Sequence, residues 1–357
     1  MKQAEAPPDA SWSGPSHAGV KSPSPIVTPD PALRFAATAA RLDQLAAGHP
    51  MEPWLRFVAR LSRAQHAVAT TLAPAAILSA ADVTRATEAR LPPLAADGHP
   101  RAPSWREALT TLLNHISVEP DSPVGANTPV GANTSVGANT PVGANTPVGA
   151  DSSAKNLHET PLPPATLNAI TQLRTSDTTT LETLANNFLR GHIPLSDTAA
   201  TIFIVAALQV YFTGSAARLA ASDLRLLEER ALCPCCGSPS VAGIITATGL
   251  IPGTRYLYCS MCSTAWNHTR AVCVTCGGTR KVSLQGIEGD PGVVKVEACA
   301  DCHTYSKLLY QVRDTQVDPY ADDLASYGLD LMVSEEGFAR HAPNPLLLTG
   351  DSEEDIG

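Results

Sequence analysis

Long apolar runs are absent from this 357-residue sequence. The longest, Ile202-Phe203-Ile204-Val205-Ala206-Ala207-Leu208, stops at Gln209. That is far short of the roughly 20 residues that cross a bilayer, so it reads as a buried helix and no membrane insertion is expected. The start, Met1-Lys2-Gln3-Ala4-Glu5-Ala6-Pro7-Pro8, carries no apolar segment of the kind a secretory signal requires. A cytoplasmic location is therefore expected, where thiols stay reduced and cysteines serve as metal ligands or redox groups rather than in disulfides. A basic stripe is also missing. Across residues 233–302, Arg255, Arg270, Arg280, Lys281 and Lys295 stand against Glu288, Asp290, Glu297 and Asp301, a net of +1. Phosphate binding needs several cationic side chains acting together, so nucleic acid is not an expected partner. No residue set for hydrolysis or group transfer stands out, and the chain is not expected to be an enzyme.

Charge is unevenly placed. The whole chain carries −9, and residues 314–357 alone carry −10, with Arg340 their one cation. Such a block reads first as a solvated acidic surface.

The 30 prolines and 24 glycines gather in a few stretches that cannot bury a core. Residues 1–31 read as a disordered leader. Residues 32–121 read as the first part of a helical domain. Leu33, Ala36, Ala37, Ala40 and Leu45 mark a first helix, stopped by Gly48 and Pro50, and Trp54, Val58, Leu61, Val68 and Leu72 mark the stripe of a second. Residues 122–151 hold five copies of a hexapeptide of the Thr-Pro-Val-Gly-Ala-Asn type. One valine per copy, with proline and glycine, makes an expanded linker, assigned here to residues 122–160. The helical domain resumes over residues 161–231. After Ala231 the texture turns to short β-prone pieces such as residues 241–248 and 293–296.

Eight of the nine cysteines form four CxxC pairs: Cys233/Cys236, Cys259/Cys262, Cys273/Cys276 and Cys299/Cys302. Twenty-two residues separate Cys236 from Cys259 and also Cys276 from Cys299, so adding 40 to each cysteine of the first set gives the second. A CxxC turn sets two thiolates on one side of a tight loop, and two such loops complete a tetrahedron. Gly237 and Gly277 follow their cysteines at equivalent places, where a tight turn lets N–H groups face sulfur. Two metal ions are expected, zinc or iron by the donor set. The grouping is Cys233/Cys236/Cys259/Cys262 in a ribbon over residues 232–268, and Cys273/Cys276/Cys299/Cys302 in a ribbon over residues 269–312. Interleaved pairing, with the first and third pairs sharing an ion, is the alternative. Cys235 falls outside the repeat and reads as a spare thiol. His268 and His303 read as ordinary histidines, and Trp266 and Tyr305 as cover over the metal loops. The fold class is α+β: a mostly helical N-terminal domain, two tandem ribbon modules, a C-terminal helical segment over residues 313–348 and an acidic tail over residues 349–357.

Several stretches resemble the formate dehydrogenase accessory protein family, FdhE. They are Cys233-Pro-Cys-Cys236-Gly-Ser-Pro, Arg255-Tyr-Leu-Tyr-Cys259-Ser-Met-Cys262, Asp318-Pro-Tyr-Ala-Asp-Asp-Leu-Ala-Ser326, Glu336-Gly-Phe-Ala-Arg340 and Asn344-Pro-Leu-Leu-Leu348. Upstream, Ala40-Arg-Leu-Asp-Gln-Leu-Ala-Ala-Gly-His-Pro50 and Ala206-Ala-Leu-Gln-Val-Tyr211 match as well. The chain departs from the family at Ala265-Trp266-Asn267, where Glu-Trp-His is usual. The resemblance implies a cytoplasmic assembly factor that contacts the catalytic subunit of a molybdenum or tungsten formate dehydrogenase, with rubredoxin-like iron in its cysteine sites. The rival reading is a redox or sulfur-handling protein using such iron. Because Asp322 and Asp323 lie in one of the resembling stretches, they are expected to bind the partner. In that expectation Leu324, Leu329, Leu331 and Val333 dock a helix on the ribbons, leaving Asp322, Asp323 and Glu336 outward.

Overall fold

The computed structural model describes residues 22–76, 78–98, 100–117, 161–249 and 251–347. The hexapeptide linker, most of the leader and the acidic tail lie outside the described residues.

Helix α1 (Pro31–Ala46) begins where Asp30 caps the Ala32 N–H at 2.9 Å and Pro31 supplies a ready-made helical φ. Its buried face is Phe35, Thr38, Ala39, Leu42 and Ala46, not the face containing Leu33, which is 65% exposed. In so alanine-rich a helix, spacing leaves two stripes nearly equal, and the larger Phe35 and Leu42 decide which one packs against α2 (Glu52–Thr71). On α2, Val58, Leu61 and Val68 are buried as expected, whereas Leu72 follows the helix as its C-cap and is exposed. Helices α3 (Ala80–Glu88), α4 (Ser104–Ser117), α5 (Pro164–Thr175) and α6 (Thr178–Leu189) follow. Helix α7 (Thr198–Ala216) holds the apolar run. It meets the length and composition of a membrane span, but 89% of that window is buried inside the protein. Helices α2, α4, α5 and α6 surround it, so it is apolar on every side.

Beyond the helices the described residues form one sheet. Strands β2 (Ser240–Ile245), β3 (Arg255–Cys259) and β4 (Ala265–Asn267) make an antiparallel meander, and β5 (Val282–Gln285), β6 (Val294–Cys299) and β7 (Thr304–Tyr310) make a second. The two meanders join where β2 runs parallel to β7. At one edge, β1 (Ile26–Val27) pairs with β4, and Ile26 is buried in the main core. The end of the expected leader is thus a strand, not disordered chain. Its pairing partners, Trp266 and Ala265, lie far along the sequence.

The C-terminal segment forms two short helices, α8 (Ala321–Ala325) and α9 (Tyr327–Glu335), and then β8 (Ala339–Arg340), which pairs with β7. Helix α8 rests on α1. Leu329 and Val333 of α9 pack on Val296, Ala298 and Tyr305 of the second meander, while Leu331 is half exposed.

Candidate metal centre

Each first pair of cysteines sits on a closed turn. Gly237 N–H donates to the Cys233 carbonyl at 2.9 Å and Cys233 N–H to the Ser238 carbonyl at 2.9 Å; Gly277 and Cys273 repeat this with 3.0 and 2.9 Å. Both glycines have positive φ, 78° and 71°, which a side chain would strain. The second pairs end alike. Ser263 and His303, each directly after the last cysteine of its set, take φ of 60° and 53°.

These turns bring the sulfurs together in two separate groups. Cys233, Cys236, Cys259 and Cys262 have all Sγ atoms within 4.8 Å of one another, and so do Cys273, Cys276, Cys299 and Cys302. The grouping is tandem, not interleaved. In the first group Cys233–Cys262 and Cys236–Cys259 are 3.5 and 3.4 Å apart; in the second, Cys273–Cys302 and Cys276–Cys299 are 3.6 and 3.7 Å. A tetrahedron with metal–sulfur bonds of about 2.3 Å has edges of about 3.8 Å. Disulfide sulfurs would lie about 2.05 Å apart, and all nine cysteines are unpaired. The residues therefore fit a four-coordinate zinc or iron ion in each group.

Backbone donors face the sulfurs. Cys235 N–H lies 3.4 Å from Cys233 Sγ, and Met261 and Cys262 N–H both lie 3.3 Å from Cys259 Sγ. The hydroxyls of Thr264 and Thr304 sit 3.2 and 3.1 Å from Cys262 and Cys302 Sγ. Sequence reasoning missed this pair of threonines, although they obey the same offset of 40. The backbone N–H donors hold charge on a coordinating thiolate and orient it. Among the bare thiols, burial pushes Cys233 and Cys259 well above the ordinary range. Cys262 is the opposite case. Burial opposes its ionisation, but hydrogen bonds from Cys233, Cys235, Cys236 and Cys259 outweigh it and hold Cys262 well below. In the second group, against its burial, Thr304, Cys276 and Cys273 bring Cys302 down to about 7.

The two groups differ in cover. Cys233, Cys236, Cys259 and Cys262 are at most 1% exposed and belong to the same core as the helical domain. Cys276 is exposed and Cys302 half-buried. Cys235 is buried beside the first group without joining it, and its hydrogen bond to Cys262, with burial, keeps it a thiol. Trp266 is fully buried and donates from Nε1 to the Arg230 carbonyl at 2.9 Å. Tyr305 turns instead to α9, donating to Asp330 at 2.8 Å. His303 is exposed; His268 is buried, and burial together with the Arg255 charge lowers it to about 4.

Asp322 and Asp323 do not face outward. They are 3% and 1% exposed. Asp322 takes both arms of Arg41, at 2.9 and 2.6 Å, and the Asp318 N–H at 2.8 Å. Asp323 pairs with Arg340 and accepts from Asn344 at 2.9 Å, with Lys307 Nζ at 3.5 Å. Burial raises the Asp322 carboxyl above its ordinary range against the pull of Arg41, and the contacts of the two acids join the C-terminal segment to α1 and β7 and leave them no open surface. Their cations, Arg41 and Lys307, are too distant in sequence for charge patterning to reveal. Between the two meanders a further buried pair, Arg255–Glu297 at 2.8 Å, crosses the seam.

The family model described as FdhE, N-terminal, matches residues 23–130 and 155–229; FdhE, central domain, matches residues 232–270; FdhE, C-terminal domain, matches residues 271–347. The protein named Protein FdhE homolog in Stutzerimonas stutzeri is 33% identical over 329 residues, spanning 92% of this chain and 94% of that protein. Its namesake in Edwardsiella ictaluri is 30% identical, spanning 94% and 96%. The crystal structure of the FdhE protein from Pseudomonas aeruginosa superposes with a TM-score of 0.69 at 30% identity, covering 91% of this chain and 99% of that one.

Proposed function

The chain belongs to the FdhE family, and from that premise we propose that it is a metal-binding accessory factor for formate dehydrogenase, acting on the enzyme's catalytic subunit in the cytoplasm. The observation that carries the metal part is the pair of preformed four-sulfur groups. Cys233, Cys236, Cys259 and Cys262 would hold one ion and Cys273, Cys276, Cys299 and Cys302 the other. Zinc in these places would brace the fold, whereas iron would add one-electron chemistry. Nine unpaired cysteines support a reducing compartment.

Three of the ribbons' cations are paired within the chain, which supports a protein partner over a nucleic acid. Arg255 is spent on Glu297, Lys281 on Asp301 at 3.0 Å and Lys307 on Asp330 at 2.5 Å. A phosphate backbone needs several such charges on one open face. Exposure of Cys276 favours, as a second reading, electron exchange between an iron in the second group and the client.

The test is elemental analysis of the purified chain together with retention of the catalytic subunit on it. Two ions per chain and a retained subunit are expected. Retention of no catalytic subunit by a folded, metal-loaded chain would reject the accessory reading. Anaerobic absorption spectra before and after a reductant separate braced zinc from cycling iron.

A further inference from the structure

The two sulfur groups are alike in ligands and unlike in access. Around the first, every knuckle is held by another element. Leu94 N–H donates to the Cys235 carbonyl at 2.9 Å and Ala96 N–H to the Cys236 carbonyl at 2.8 Å. From α7, Gln209 donates to the Ser260 carbonyl at 2.9 Å and Thr213 meets Ser263 at 3.1 Å. Tyr320 donates to the Cys259 carbonyl at 2.9 Å, and Arg34 to Ser263 at 3.0 Å. Even a methyl group on Gly237 would stand 3.2 Å from Pro92. Among the described residues these four cysteines are at most 1% exposed, and although a cavity of about 630 Å³ borders Ser263, none of the four lines it.

The second group has thinner cover. Its ties to the rest of the chain include a Thr275–His341 hydrogen bond of 2.9 Å and the Ala339 N–H bond to the His303 carbonyl at 2.8 Å. A cavity of about 630 Å³ opens beside it, lined by Glu228, Arg230, His268, Cys273, Thr275 and Cys276.

Resting on the reading of both groups as metal sites, we infer that the second is the exchangeable one, where an incoming thiolate or small chelator gains the ion, and that the first is a permanent brace. Exchange in which a new donor binds before an old one leaves needs open space beside the ion. At the second group the donor enters from the cavity or the open side of Cys276. A thiolate bound there would displace the Cys276 thiolate one for one. At the first group the same approach needs a cooperative opening of the core, and rates of opening differ by orders of magnitude between a surface loop and a core.

The experiment loads the full chain with zinc, confirms two ions, and follows release to 4-(2-pyridylazo)resorcinol, with parallel pulses of N-ethylmaleimide mapped by mass spectrometry. One ion should leave at least ~100-fold faster than the other, as expected for local against core opening. Maleimide should mark Cys276 and Cys302 first, while Cys233, Cys236, Cys259 and Cys262 stay silent until global unfolding. Cys276→Ser should remove the fast phase and keep the slow one. Release of both ions at one rate, or early labelling of the first group, overturns the inference and leaves the metal reading standing. A chain that loads fewer than two ions overturns both. Should Cys276→Ser fail to fold, the labelling order in the unaltered chain decides alone.

Discussion

Replacing Asp323 by asparagine should weaken the fold rather than unfasten a partner. Its carboxylate is one of two acids, with Asp330, that balance two cations, Lys307 and Arg340, away from water. Lys307 is fully buried and spends its other donors on the carbonyls of Asp323 and Ser326, at 2.8 and 3.1 Å. The substitution leaves two cations facing one acid. It also leaves a single acceptor oxygen where Arg340 and Asn344 both donate. Removing one partner from a buried ionic set costs about 3–5 kcal/mol, against a total stability of roughly 5–15 kcal/mol. At about 2–4 °C per kcal/mol for domains of 150–250 residues, melting should fall by about 10 °C. Thermal and urea unfolding of the zinc-loaded chain read this directly. Asp323→Asn combined with Lys307→Gln should lose less than the sum of the singles, with a coupling of about 0.5–3 kcal/mol. An unchanged melt with a lost catalytic subunit would refute the reasoning and return Asp323 to the surface.

Three further outcomes follow from the same structure. His268 stays neutral down to about 4 in the fold but titrates near its ordinary 6.5 when unfolded, so the unfolded chain binds the extra proton between those values; its contribution of about 3 kcal/mol is complete above pH 6.5 and fades as pH falls toward 4. His268→Asn, which can keep the bond to the Thr269 carbonyl, should flatten that part of a stability–pH curve, and an unaltered slope counts against it. Deleting residues 122–151 shortens the connection between α4 and α5 about threefold, worth only about 1 kcal/mol in loop closure, so melting and metal content should hold; lost cooperativity would show that the repeats pack. Glu297→Leu should cost about 3–5 kcal/mol by stranding Arg255, and adding Arg255→Met should recover most of it, which denaturation of the single and double variants measures.

Much of the candidate site was legible because its ligands obey local rules: each CxxC loop closes on itself, and the offset of 40 carries the second set from the first. Thr264 and Thr304 obey it too and needed only the same comparison. What was not legible depends on distant partners. Ile26 becomes a buried strand residue only because Trp266 lies beside it. Asp322 looks like a surface acid until Arg41, on α1, is brought to it. Local propensity contains no term for either meeting, so composition and charge patterning place both residues in solvent.

The same offset explains why two copies of one unit come to differ. Leu257 and Trp266 face each other across β3 and β4, and 40 residues on, Glu297 and Ser306 face each other across β6 and β7. In the first meander that face lies against the helical domain, and both positions are apolar and fully buried. In the second, the corresponding face receives Arg255 from the neighbouring meander, 2.8 Å from Glu297 and 3.5 Å from Ser306. The helical domain packs on the first meander, and the second joins the first at its flank, through the β2–β7 pairing and the buried Arg255–Glu297 pair. A flank joint leaves the far sulfur loops uncovered. That is why Cys236 is sealed while Cys276, its equivalent, meets solvent.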